Sequence, residues 1–88
     1  VEGLTRSLAA EYAPTIRVNA IAPSLTDTPL AGKLLATEEK RQASAERHPL
    51  KRVAAAEEVA AMASFLLSDK AAFVTGQVIG MDGGLGAI

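Results

Sequence analysis

Apolar positions fall first at Val1, Leu4, Leu8 and Tyr12, at spacings of three and four that place one stripe on a helix over residues 1–12. Glu2, Arg6 and Glu11 lie off that stripe. Pro14 ends the helix, because it restricts the residue before it and has no N–H to donate. In IRVNAIAP (16–23) the period changes from helical to alternating. Ile16, Val18, Ala20 and Ala22 alternate with Arg17, Asn19 and Ile21, and Pro23 stops the run, so a strand is predicted over 16–22. A hydroxyl-rich loop, SLTDTP, occupies 24–29. Residues 30–47 carry a weaker amphipathic pattern, broken near Ala36, where Thr37 can cap a second helix that opens with Glu38 and Glu39; Pro49 closes the segment. The clearest helical pattern lies at 56–67. Val59, Met62, Ala63 and Leu66 make one face, Phe65 flanks it, and Glu57 and Glu58 sit in the first turn, where the helix dipole favours negative charge. QVIGM (77–81) predicts a short strand and the following DGG a tight turn.

The order is helix, strand, helical excursion, helix, strand. Two strands joined by a long helical crossover pair in parallel with a right-handed connection, so the fold class is α/β: a βαβ unit with an extra helix in front.

Composition narrows the function classes. At 88 residues the chain fits one small domain or a piece of a larger one. Hydrophobic residues at 49% and charged residues at 22% describe a packed chain, and 3% aromatics leave its core to Ala, Val, Leu and Ile. A net charge of −1 offers no basic surplus for nucleic acid or an anionic membrane. Cysteine is absent, which excludes a disulfide framework and thiol catalysis, argues against zinc, and makes a reducing cytoplasm the default expectation. No segment is long and apolar enough to cross a bilayer. VEGLTRSLAAEY has an early glutamate and no apolar core, so it does not read as a signal peptide. Val1 opens inside the helical pattern with no initiator Met, the expectation for a chain that starts mid-protein.

Candidate chemistry is sparse. Tyr12, the single tyrosine, would need a cation one helical turn later to act as an acid/base, but Ile16 stands there; it reads as a core or interface residue. His48, the single histidine, lies between Arg47 and Pro49 with no orienting carboxylate nearby, and reads as a solvent-facing or lid residue. Ser24, His48 and Asp82 make a triad on paper only, since no G-x-S-x-G elbow is present. Neither G-x-G-x-x-G nor a Walker loop occurs, and Gly83-Gly84 reads as a turn with positive φ. Glu38, Glu39, Glu57 and Glu58 read as solvated capping charge. The loop at 23–29 is the site-like feature. It follows the carboxyl end of a strand, where open α/β sheets bind ligands, and it gathers Ser24, Thr26, Asp27 and Thr28. These groups either recognise an amide or hydroxyl of a ligand or cap the helix beginning at Pro29, and the residues alone leave both open.

IRVNAIAPSLTDTP resembles a signature segment of the short-chain dehydrogenase/reductase family, R-V-N, small and apolar residues, then P-G-x-x-x-T. Three further segments are similar to that family in order and spacing. VEGLTRSLAAEYA resembles the helix after its catalytic Tyr-x-x-x-Lys, HPLKRVAAAEEVAAMASFLLSD its P-L-x-R and F-L-x-S-D run, and FVTGQVIGMDGG its final strand. The resemblance covers Val1 to Gly84.

The resemblance implies the C-terminal part of a Rossmann-type doubly wound parallel sheet, all of 1–88 belonging to one domain, with 29–50 as the substrate lid. It implies NAD or NADP as cofactor, the choice being made upstream, and a small alcohol or ketone as substrate. The Gly-rich loop, the catalytic Ser and the Tyr-x-x-x-Lys pair are expected upstream of Val1, so the chain holds no catalytic residue and is expected to be inactive alone. Pro23 matches the residue that starts the nicotinamide-facing loop, Thr28 the one that bonds the carboxamide and phosphates, and Thr26 a position used through its backbone. Arg17, Asn19, Asp82 and Gly83 match positions read as structural. Leu30 and Leu34 are the substrate-contact candidates, with Leu35 beside them, unless these leucines simply pack the lid on the body. A homodimer or homotetramer is implied, with no nucleic acid and no membrane. Ser24 stands where the family usually has Gly; if that position demands positive φ, Ser there costs about 1 kcal/mol. Ala54-Ala55-Ala56 replaces a common Gly-x-Pro, and Gly80 weakens its strand slightly. A second reading is a non-catalytic binding or oligomerisation module built on the same fold.

Overall fold

A computed structural model describes residues 1–87. Helix α1 (Glu2–Tyr12) forms where the 3.6 period predicts it. The face it buries is a different one: Thr5 and Ala9 pack inward, while Val1, Leu4 and Tyr12 are exposed. Small residues face the body because the helix lies close to it; a Cβ on Gly76, in the turn before the last strand, would stand 3.4 Å from Ala9 Cβ. Tyr12 is therefore not a core residue of this chain.

Strand β1 (Ala20–Pro23) is shorter than the run at 16–22 predicts. It pairs in parallel with β4 (Val78–Met81), in the register Ala20↔Val78 to Pro23↔Met81. Upstream of Ala20 side chains take over part of the ladder. Asn19 donates from Nδ2 to the Val74 carbonyl (3.0 Å) and accepts from Gln77 N–H (3.1 Å), while Val18 N–H donates to Thr75 Oγ1 (3.1 Å). Arg17 reaches across to the end of the long helix, donating to the carbonyls of Leu66 (2.9 Å), Val74 (3.2 Å) and Ser68 (3.3 Å). The Leu66 and Val74 carbonyls are left without backbone partners at a helix end and a turn, while the Ser68 carbonyl also accepts from Ala71 N–H at 3.1 Å.

After β1 the chain forms a two-residue strand, β2 (Thr26–Asp27), and a 3-10 turn at Pro29–Ala31. Helix α2 (Glu38–Arg47) begins where the break near Ala36 predicts: Thr37 Oγ1 accepts from Lys40 N–H at 3.1 Å. Strand β3 (Ala54–Ala55) pairs in parallel with β2, a contact the hydrophobic pattern does not announce. Helix α3 (Ala56–Leu67) turns Val59, Met62, Ala63 and Leu66 inward as predicted. Its entry is held by Glu58, which accepts from Ala55 N–H (2.9 Å) and forms a two-pronged pair with Arg52 (2.6 and 2.7 Å). The buried apolar set is small: Ala9, Ala31, Leu35, Leu66 and Ala71.

Candidate functional site

The parallel pair β1–β4 brings the loop after β1 beside the turn after β4. Ser24 N–H donates to the Met81 carbonyl (3.1 Å), so the loop leaves as a continuation of the ladder. Two residues on, β2 fastens it to β3. Thr26 Oγ1 donates to the Ser24 carbonyl (3.1 Å), and Asp27 pairs with Arg41 of α2 across 3.1 Å at the exposed surface. Thr28 is the N-cap of the 3-10 turn, its Oγ1 accepting from Ala31 N–H at 3.3 Å. The capping role left open by the residues alone is thus real for Thr28. It also leaves the Thr28 hydroxyl proton free, just as the donation by Thr26 leaves the Thr26 oxygen lone pairs free. One spare donor and one spare acceptor thus lie two residues apart in this loop.

Ser24 does not adopt positive φ; among the described residues Lys51 is the non-glycine that does. The strain anticipated from a Ser in place of Gly is absent. The Ser24 hydroxyl instead lies 2.8 Å from His48 Nε2. His48 is 2% exposed, which corrects the solvent-facing reading: it sits at the end of α2 with Nδ1 2.7 Å from the Ser44 carbonyl. A carbonyl only accepts, so Nδ1 carries a proton, and in the neutral ring Nε2 accepts from Ser24. Asp82 takes no part. Its carboxylate accepts from Gly84 N–H (3.0 Å) and Gly86 N–H (3.1 Å), closing the C-terminal turn. Two members of the paper triad meet and the third is committed elsewhere. The Ser24–His48 contact links residues 24 apart, which no local pattern encodes. Gly83 at φ 59 lets that turn approach: a Cβ there would stand 3.4 Å from His48 Cβ.

A cleft of about 390 Å³ opens beside this pair, lined by Ser24, Leu25, His48, Leu50, Met62 and Met81 among others. Pro23, Thr26 and Thr28 do not line it, nor do Leu30 and Leu34. Leu30 is 98% exposed and Leu34 62%, whereas Leu35 is buried at 2%. Among the described residues no cluster of His, Asp and Glu could hold a metal ion, and no helix is long and apolar enough to cross a membrane.

A Rossmann-like α/β segment carrying this loop defines a class, and the comparisons agree with it. A family model described as Enoyl-(Acyl carrier protein) reductase matches residues 1–86. The chain belongs to the short-chain dehydrogenase/reductase family. It is 49% identical over 86 residues to a 3-oxoacyl-[acyl-carrier-protein] reductase of Thermotoga maritima, covering 97% of this chain and 34% of that protein. It is 48% identical over 89 residues to a cis-4-hydroxycyclohexanecarboxylate dehydrogenase of Sinomonas cyclohexanicum, covering 100% of this chain and 35% of that protein. A C-terminal deletion mutant of Thermoplasma acidophilum aldohexose dehydrogenase superposes with a TM-score of 0.91 at 38% identity, over 99% of this chain and 42% of that one. A 4-hydroxyisoleucine dehydrogenase complexed with NADH gives 0.90 at 28% identity, over 99% and 36%. The chain therefore spans about a third of the length of the curated relatives it matches.

Proposed function

We propose that this chain is the nicotinamide-facing part of an NAD(P)(H)-dependent oxidoreductase that interconverts an alcohol and a ketone. The observation that carries the reading is the loop at 24–28, held at the carboxyl end of β1 with a spare donor on Thr28 and a spare acceptor on Thr26. The bound nicotinamide supplies hydride chemistry; this chain's residues orient it. Pro23 directs the loop off the strand, and Thr28 and Thr26 receive the two ends of the carboxamide, which selects the ring face presented to substrate. Proton transfer falls to a Tyr-x-x-x-Lys pair upstream of Val1, in keeping with a chain that has no cation one turn after Tyr12. Residues 29–50 serve as the lid, with exposed Leu30 and Leu34 free to meet an apolar substrate. The protein acts as a homodimer or homotetramer. The alternative, a non-catalytic module, draws on the apolar surface at Leu67 and Phe73, which are 84% and 103% exposed.

The test is titration of the full-length protein with NADH and with NADPH, followed by turnover on secondary alcohols. Thr28→Val should weaken nucleotide binding roughly three- to tenfold, the loss of about one hydrogen bond, with the fold intact. Absence of binding by the unmodified protein would remove the oxidoreductase reading and leave the module. An unchanged dissociation constant in Thr28→Val would leave Thr28 as a cap alone.

A further inference from the structure

The loop at 24–28 has little regular structure to keep its shape. Two paired residues join it to β3, and the Asp27–Arg41 pair is exposed to solvent and to screening by salt. The Ser24 backbone N–H donates to the Met81 carbonyl (3.1 Å), and the remaining side-chain tie is the Ser24–His48 hydrogen bond, whose histidine is 2% exposed. His48 is itself held on three sides. Its ring donates to the Ser44 carbonyl in the last turns of α2, its own carbonyl accepts from Lys51 N–H (2.8 Å), and its side chain lies against Gly83. The next residues are anchored too, since Leu50 N–H donates to the Gly83 carbonyl at 3.0 Å. The end of the lid is thereby fixed to the body, and from that fixed point one imidazole reaches the first residue of the loop.

We infer that the Ser24–His48 hydrogen bond is a latch that holds the 24–28 loop in shape from the far end of the lid, making His48 a positioning residue for the nucleotide site. The inference rests on the nicotinamide-facing reading of that loop for its consequence, though not for its geometry. His48 touches no reacting atom; it acts through Ser24, and Ser24 acts through Thr26, whose hydroxyl is bonded to the Ser24 carbonyl.

The two ring nitrogens allow a discriminating pair of substitutions. Asn at 48 can reproduce Nδ1 and its bond to Ser44 but falls short of Ser24; Gln can reach Ser24 in place of Nε2 but abandons Ser44. In the full-length protein, Ser24→Ala and His48→Asn should each speed amide hydrogen exchange within 24–28 and raise the dissociation constants of NADH and NADPH, by roughly three- to tenfold. His48→Gln should restore most of both. The double variant Ser24→Ala/His48→Asn should be no worse than either single one, because both remove the same bond. Unchanged loop exchange in Ser24→Ala would overturn the latch. So would His48→Asn behaving as the unmodified protein while His48→Gln fails, which would make the ring a cap of α2 alone. Ser24→Ala removes a single oxygen and keeps the fold, so the exchange measurement decides the latch even if the unmodified protein binds neither nucleotide, an outcome that counts against the oxidoreductase reading.

Discussion

Taken as a free polypeptide, the 88 residues should fail to form a stable monomer. The chain exposes 6322 Å². A compact monomer of 9.1 kDa exposes about 4,900 Å². Its radius of gyration is 15.3 Å, against about 12 Å for a compact chain of this length. With principal extents of 48 × 24 × 20 Å it is elongated rather than round. The excess surface is about 1,400 Å², a little over half of it apolar at the usual share, and at ~25 cal/mol per Å² it withholds about 20 kcal/mol of burial, an upper figure. A chain of this length is held together by only about 4–13 kcal/mol in total. The deficit exceeds that margin, and its carriers are visible: Val1 is 89% exposed, Leu4 64%, Ile16 51%, Leu67 84% and Phe73 103%. The free edge of β1 adds unpaired backbone. Sedimentation velocity at micromolar concentration should find associated species, and a thermal melt followed by circular dichroism should be broad. A monodisperse monomer with one cooperative transition would refute the reasoning and mean that these faces close on each other.

Two further outcomes are expected in the full-length protein. Arg17→Met should destabilise the fold by about 2–4 kcal/mol in urea denaturation, since it strips three carbonyls of a charged donor, and Arg17→Lys should recover less than half because an ammonium lacks the fork; a loss under about 0.5 kcal/mol would show that water replaces the guanidinium freely. The Arg52 guanidinium, and then the Ala55 N–H, hold the Glu58 carboxyl down at about 2 against an ordinary 4.5, so its contribution is fully present above pH 4.5 and is lost as pH falls towards 2. The gap in melting temperature between the unmodified protein and Glu58→Gln should narrow through that window, whereas a constant gap would mean that charge is not what Glu58 contributes.

Periodicity and punctuation reveal much of this molecule. The helix at 56–67, the Thr37 cap and the carboxyl ends of β1 and β4 are local properties, set by spacing, capping hydroxyls and prolines that act within a few residues. The loop at 24–28 is legible for the same reason, as hydroxyls after a strand. Three features lie beyond such signals. The buried face of α1 is Thr5 and Ala9 because of how closely the helix approaches the turn at Gly76, and periodicity reports a stripe without saying what will cover it. The β2–β3 pair joins residues 28 apart through one ladder of two residue pairs with no side-chain pattern. His48 looks solvent-facing between Arg47 and Pro49, yet it is buried, because Ser24, which meets its Nε2, and the turn at Gly83, which packs against it, arrive from other parts of the chain. A buried polar group is stable only when its hydrogen bonds are met; Ser44 meets Nδ1 from within α2, but the Ser24 partner of Nε2 reaches His48 only once β1 and β4 lie side by side.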